Sequence, residues 1–110
     1  MPNFIQSKGQ RFNATSGNAV SGSAVATQAA SSGRVHYITE ISGSMLNATA
    51  YITITSGNTT YWQDVFGTAS FTYIKDFVTP IGIPSGSAVS AKVLYGSTGS
   101  AYVNISGFTI

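Results

Sequence analysis

The chain has 110 residues, of which 7 % are charged, against about 25 % in an ordinary globular protein. Five basic and three acidic residues give a net charge of +2, and cysteine is absent. This composition excludes a disulfide scaffold and speaks against nucleic-acid binding, which needs several clustered basic residues to neutralise phosphates.

The first third of the chain is poor in apolar surface. Residues 13–33 contain no charged residue, no aromatic ring and no proline, a composition typical of disorder. Ordering such a segment costs about 1–2 kcal/mol per residue, so it needs either a partner or its own domain to lie on. We predict an extended N-terminal arm over residues 1–33 that docks on a partner. Its candidate partner-binding residues are Phe4, Ile5, Lys8, Arg11 and Phe12.

The N-terminal stretch MPNFIQSKGQRF carries no recognisable targeting signal. It lacks the apolar run of about 7–15 residues that a secretion signal requires, and no part of the chain approaches the roughly 18 apolar residues of a membrane helix. We therefore expect a protein made in the cytoplasm and without a membrane partner.

From Arg34 onward the sequence has the pattern of an all-β domain. Runs of β-branched and aromatic residues are separated by SGS, SGN and PSGS, the usual punctuation between strands. In LNATAYITIT, apolar and polar residues alternate, so Ile52 and Ile54 share one face of a strand with Leu46. The predicted strands cover residues 34–41, 46–55, 59–66, 70–78, 88–95 and 101–109.

Short spacers indicate how these strands connect. Residues 56–58 and 96–100 predict two hairpins. Pro80 cannot donate to a ladder and marks an edge, a bend or a strand that changes sheets, and Gly107 is expected at a β-bulge. Residues 34–110 are therefore predicted to form a compact antiparallel β-sandwich or jelly roll. A body this small and without disulfides is expected to gain stability as a homo-oligomer.

The sequence lacks the residues of a catalytic or metal centre. His36 is the only histidine, and the three acids, Glu40, Asp64 and Asp76, are scattered over three predicted strands, which suits neither zinc nor calcium. No G-x-S-x-G motif is present. We therefore expect no enzyme activity, no metal and no cofactor. Because His36 and Glu40 occupy even positions of one strand, both are expected to face solvent or a neighbouring subunit.

Aromatic residues are concentrated between positions 61 and 77. Exposed rings can stack on sugars, which makes Tyr61, Trp62 and Tyr73 candidates for a glycan-binding surface. A small sandwich with few leucines must also fill its interior, and large rings are the usual means. We favour the core or a subunit interface for these rings, with glycan binding as the alternative.

The rhythm of residues 34–110 also resembles a class of virus proteins. A Gly/Ser/Ala-rich segment leads into GRVHYITEISGS, and VTPIGIPSGSAVSAKVLYGSTGSAYVNISGF follows. This pattern is similar to that of the small jelly-roll decoration (cement) proteins of tailed-bacteriophage heads, and related domains occur in phage tails and fibres. The resemblance implies a structural virion protein, typically a trimer on the outer capsid whose extended terminus contacts the major capsid protein or another copy. A tail, fibre or adhesion module that binds glycans is the alternative.

Overall fold

A computed structural model describes residues 10–16, 23–46, 50–65, 71–95 and 100–110. These residues form eight β-strands, and no helix in the described part is long and apolar enough to cross a membrane. The strands are β1 (Gln10–Thr15), β2 (Ser23–Gln28), β3 (His36–Leu46), β4 (Ala50–Ser56), β5 (Thr59–Val65), β6 (Phe71–Gly82), β7 (Val89–Tyr95) and β8 (Ser100–Thr109).

The strands are arranged in two four-stranded antiparallel sheets. Sheet A has the order β1-β8-β3-β6, and sheet B has the order β2-β7-β4-β5. The chain changes sheets at every connection except the one between β4 and β5. This is the eight-stranded jelly roll, two Greek keys folded into a double sheet. The predicted all-β sandwich of the jelly-roll type is confirmed.

The core between the sheets consists of small and β-branched side chains. Alternate residues of β4, β7 and β8 point inward, as the period-two pattern of the sequence predicts. No aromatic ring of the described chain is among the fully buried apolar residues. These residues are Ala24, Ala26, Ile38, Ile41, Ile52, Ile54, Ile83, Val89, Ala91, Val93, Ala101, Val103 and Ile105.

Two segments of the predicted N-terminal arm are strands of the sandwich. β1 pairs with β8, and β2 pairs with β7. Ala24 and Ala26 of β2 are each 1 % exposed. This corrects the predicted boundary between residues 33 and 34, because the sandwich already includes Gln10. An edge strand is held by its backbone ladder and needs only small inward side chains where the sheets lie close, so a segment poor in large apolar residues can serve. Residues 1–9 and 17–22 lie outside the described residues.

Two predicted turns differ from the structure. Ser42–Gly43–Ser44 lies within β3, and a Cβ placed on Gly43 would come within 3.2 Å of side-chain atoms of Ile52 and Val93. The glycine therefore permits a close approach of the two sheets rather than a turn.

The hairpin between β4 and β5 is confirmed. The predicted hairpin around residues 96–100 is wrong, because β7 and β8 belong to different sheets.

Pro80 lies in β6, the edge strand of sheet A, as a residue without a backbone N–H should. The register between β3 and β6 shifts here. Opposite the single residue Thr39 of β3, β6 has four residues, 77–80. This irregularity interrupts the pairing, which resumes at Ile81, and Val78 within it is completely exposed.

Gly107 lies beside a bulge, but the extra residue is on the neighbouring strand. Ile38 of β3 pairs with Gly107 and Glu40 pairs with Ser106, so Thr39 between them has no partner on β8. A Cβ on Gly107 would lie 1.9 Å from the carbonyl oxygen of Tyr37, so only glycine fits. The predicted irregularity is present, with its extra residue contributed by β3.

Candidate functional site

The sandwich has two lateral edges. β1 and β2 form one, called here the β1/β2 edge, and β6 and β5 form the other, called the β5/β6 edge. A cleft with two arginines lies at the β1/β2 edge, and the aromatic cluster lies at the β5/β6 edge. These edges and the two outer sheet faces are the places where a partner or ligand can bind.

The cleft at the β1/β2 edge has a volume of about 130 Å³. β1 and β2 form its walls, and the connection from β2 to β3 closes one end. Its lining is mostly polar and basic. The lining residues are Gln10, Arg11, Phe12, Gln28, Ser31, Arg34, His36 and Thr109.

His36 lies at the floor of this cleft and is 1 % exposed, so the prediction that it faces solvent or a subunit is wrong. Its Nε2 donates to the carbonyl oxygen of Ala29 at 2.7 Å, because a carbonyl can only accept. In the neutral ring, Nδ1 then accepts from the hydroxyl of Thr109, also at 2.7 Å. The ring of Phe12 packs edge-on at 5.4 Å. His36 therefore ties β3 to β8 and to the segment after β2.

The bulge at Thr39 explains why alternation mispredicts this histidine. His36 and Ile38 point inward, and one extra residue reverses the parity, so that Glu40 points outward and Ile41 inward. The sequence pattern treats His36 and Glu40 as lying on one face, whereas the strand places them on opposite faces.

The cleft carries uncompensated positive charge. Within the described part of the chain, the Arg34 side chain makes one long hydrogen bond, 3.5 Å from Nη2 to the carbonyl oxygen of Thr109, and Arg11 is exposed. No aspartate or glutamate lines the cleft. All three acids of the chain lie elsewhere, two on the outer face of sheet A and one at the β5/β6 edge. The Arg34 guanidinium in this polar cleft, with Arg11 exposed on the adjoining strand β1, suits an oxyanion such as a carboxylate.

Glu40 and Asp76 are cross-strand neighbours of β3 and β6 on the outer face of sheet A. Hydrogen bonding to the Asp76 carboxyl raises the pKa of Glu40, with smaller contributions from desolvation and from the Asp76 charge. Two like charges directly opposite each other destabilise a sheet. A cation or a basic partner would relieve this repulsion.

Three rings meet at the β5/β6 edge. Trp62 lies 5.9 Å from Tyr73 and 5.4 Å from Phe77, measured between ring centroids. Together with Tyr61 they are partly buried against the core. The rings contact one another and close the gap between the sheets. Glycan stacking on a partly exposed Trp62 stays a prediction.

Asp64 lies beside this aromatic cluster. The hydroxyl of Tyr73 donates to Asp64 Oδ2 at 2.5 Å. This bond, and the backbone N–H of Val65, lower the pKa of Asp64. Burial, aided by the bond to Asp64, raises the pKa of Tyr73 to about 12. The bond links the edge strands of the two sheets.

The outer face of sheet B presents a row of apolar side chains. Leu94, Tyr51 and Val65 are direct cross-strand neighbours, and they are 37 %, 47 % and 58 % exposed. Val25 of β2, 41 % exposed, lies diagonally next to Leu94. Sequence reasoning missed this apolar row, although Tyr51 and Leu94 stand at polar-face positions of their alternating segments. That break in the alternation was the available signal.

The predicted arm residues are only partly described. Phe4, Ile5 and Lys8 lie outside the described residues. Arg11 lines the cleft, and Phe12 packs against the core of its own sandwich. In the described part of the chain, no group of three or more histidine, aspartate or glutamate side chains is placed to hold a metal ion.

No family model matches the sequence, and no curated protein does. The solved structures similar to it include the carbohydrate-binding module CBM36 in complex with calcium and xylotriose, 22 % identical over 83 % of this chain and 77 % of that chain, with a TM-score of 0.46. The CBM36-1 domain of a multidomain xylanase from the hindgut metagenome of Trinervitermes trinervoides is 14 % identical over 91 % and 95 %, with a TM-score of 0.45. A chain of infectious bursal disease virus, Gx strain, is 12 % identical over 94 % of this chain and 32 % of that chain, with a TM-score of 0.45. These similarities concern the β-sandwich fold alone, so the function has to be argued from the surfaces.

Proposed function

We propose that the protein is a non-enzymatic structural component of a virus particle, a decoration or cement protein that binds the major capsid protein of a phage head. The apolar row on the outer face of sheet B carries this proposal. Contiguous exposed apolar side chains mark interaction surfaces, and Tyr51, Val65 and Leu94 lie side by side on a face where alternation should place polar residues.

The state of the single histidine supports a non-catalytic role. A nucleophilic serine is hydrogen-bonded to the histidine nitrogen that takes its proton. The accepting nitrogen of His36 is bonded to the hydroxyl of Thr109, the other donates to Ala29, and the ring is buried. His36 is therefore not placed to act as the general base of a serine nucleophile.

The architecture is compatible with the proposal without deciding it. Jelly rolls occur in viral capsid proteins and also in lectin domains, and a fold by itself does not fix a function. Only 7 % of the residues are charged, which suits a protein packed against other proteins in a particle.

Reconstitution of particles tests the proposal. Particles lacking the protein should regain resistance to heat and low salt when the purified wild-type protein is added. Val65→Asp should abolish this gain, because it places a charge in the apolar row, whereas Gln63→Asp on the same strand is the matched control and should bind. Unchanged particle stability, together with turnover of a substrate by the purified protein, would overturn the proposal.

Glycan binding is the second candidate, because the partly buried Trp62 lies at an open edge close to the exposed carboxylate of Asp64. A ring and a carboxylate together can hold a sugar, the ring by stacking and the carboxylate by accepting hydrogen bonds from the sugar hydroxyls. A glycan array separates the two candidates. Binding that is lost in Trp62→Ala but kept in Val65→Asp favours the glycan-binding module, and the absence of any binding favours the structural role.

A further inference from the structure

The charged side chains of the described chain are divided between opposite halves of the sandwich. Arg11 and Arg34 lie at the β1/β2 edge without an acid. Glu40 and Asp76 lie on the β3 and β6 half of sheet A, and Asp64 lies on β5. Lys75 of β6 is the one base on that side of the described chain, so that half keeps two net negative charges.

The two sets of charges cannot neutralise each other within one chain. Across sheet A, Arg11 of β1 is two strand spacings, about 10 Å, from Glu40 of β3 and three spacings, about 14 Å, from Asp76 of β6. Exposed charges at these separations are largely screened at physiological ionic strength, where the Debye length is about 8 Å. Each set therefore has charge available for a second molecule.

The acidic half offers charge and exposed apolar groups together. Glu40 and Asp76 stand directly opposite each other on the outer face and repel. On the same strand as Asp76, Val78 is fully exposed and Ile74 is 67 % exposed. Paired carboxylates with exposed apolar groups nearby match the content of the β1/β2 edge, where Arg34 and the half-buried ring of Phe12 line the cleft and Arg11 is exposed on β1.

We infer that the protein associates head to tail, the β1/β2 edge of one copy binding the Glu40–Asp76 pair of a second copy through Arg34 in the cleft and Arg11 beside it. Guanidinium forks bind carboxylates in a bidentate manner, which adds direction to the charge attraction. Each copy carries one cleft and one acidic pair, so the contact is heterologous and closes into a ring when the rotation between copies permits. This inference deepens the proposed function and rests on it, since an assembly protein uses such contacts between its own copies.

Sedimentation velocity of the purified chain tests the contact. Wild type should associate at 0.05 M NaCl and dissociate toward the monomer at 1 M NaCl, where the Debye length falls to about 3 Å. The variants Arg11→Glu/Arg34→Glu and Glu40→Arg/Asp76→Arg should each weaken association by about tenfold or more. An equimolar mixture of the two variants should associate again, because every cleft then meets a site of opposite sign.

Three controls separate this effect from misfolding. Circular dichroism should show the same β spectrum for all variants. The milder pair Arg11→Gln/Arg34→Gln should also reduce association, and Lys92→Glu, a charge reversal on the outer face of sheet B, should leave it unchanged.

Four results would overturn the inference. They are a wild-type chain that stays monomeric at low salt, association that survives 1 M NaCl, association that survives the arginine variants, and a mixture that fails to reassociate. Self-association without attachment to particles would overturn the proposed function and leave the head-to-tail contact standing. Attachment to particles by a chain that does not self-associate would overturn the head-to-tail contact and leave the proposed function standing.

Discussion

Substituting Ala26 by aspartate tests whether the low-complexity N-terminal segment is a strand of the core. Ala26 is 1 % exposed and pairs with the fully buried Ala91 of β7. A carboxylate there must enter in its protonated form, and protonating an aspartate of ordinary pKa 3.9 costs about 4 kcal/mol at pH 7. The larger side chain adds about 1–3 kcal/mol of overpacking. We expect the free energy of unfolding to fall by about 5–7 kcal/mol at pH 7, and by only about 1–3 kcal/mol near pH 4.

Urea denaturation measured at both pH values is the assay. Val25→Asp is the matched control, because Val25 faces outward, is 41 % exposed and lies opposite Lys92; it should change the free energy of unfolding by less than about 1 kcal/mol. Should Ala26→Asp fail to fold, Ala26→Ser buries only a hydroxyl and should cost about 1–3 kcal/mol. Equal stabilities for Ala26→Asp and Val25→Asp would refute the placement of β2 in the core.

Three further substitutions test other parts of the structure. Gly107→Ala forces a Cβ to within 1.9 Å of the carbonyl oxygen of Tyr37 and should lower the urea-derived free energy of unfolding by about 3 kcal/mol or more; a loss below 1 kcal/mol contradicts this close approach. The buried hydroxyl of Thr53 has no hydrogen-bond partner among the described residues, so Thr53→Val should raise that free energy by about 1 kcal/mol, and an unchanged melting temperature contradicts it. The pKa of Glu40 is raised by Asp76, so the destabilising contribution of this pair at pH 7 is lost as the pH falls through the raised pKa of Glu40. Asp76→Asn should therefore stabilise by about 0.2–1 kcal/mol at pH 7 but not at pH 3, and an NMR titration should show the pKa of Glu40 moving down.

The strands that the sequence predicts well are those with strict alternation. Ile52 and Ile54 of β4, and Val103 and Ile105 of β8, are fully buried as their spacing requires. Such positions report the period of the backbone directly. The hairpin at β4 and β5 was predictable for the same reason, since its turn residues sit between two clearly alternating segments.

The first two strands were hidden by their composition. β2 buries only Ala24 and Ala26, so its inward face has no large apolar residue. The composition of the segment is therefore that of a disordered chain. What orders it is its ladder with β7, a long-range partner that local composition does not reveal. Residues 96–100 could not be predicted for a related reason, because a short spacer fits a hairpin and a crossing between sheets equally well.

The candidate sites depended on a single extra residue. Thr39 reverses the parity of β3, which buries His36 and leaves Glu40 facing outward beside Asp76. A sequence carries no clear sign of such a bulge. The arginine cleft was equally hidden, since Arg11 and Arg34 lie 23 positions apart in the sequence. They come to the same edge only because β1 pairs with β8 and β2 pairs with β7.

Native-state hydrogen exchange in β1 and β2 tests this structure most directly, because these strands complete both sheets and form the walls of the cleft. The backbone amides of Gln10–Thr15 that bond to β8, and those of Ser23–Gln28 that bond to β7, should exchange with protection approaching that of β7 and β8 themselves. Exchange of both segments at the rate of a free chain, with β3, β4, β7 and β8 still protected, would show that residues 10–28 are an arm and would remove the cleft together with the head-to-tail contact built on it.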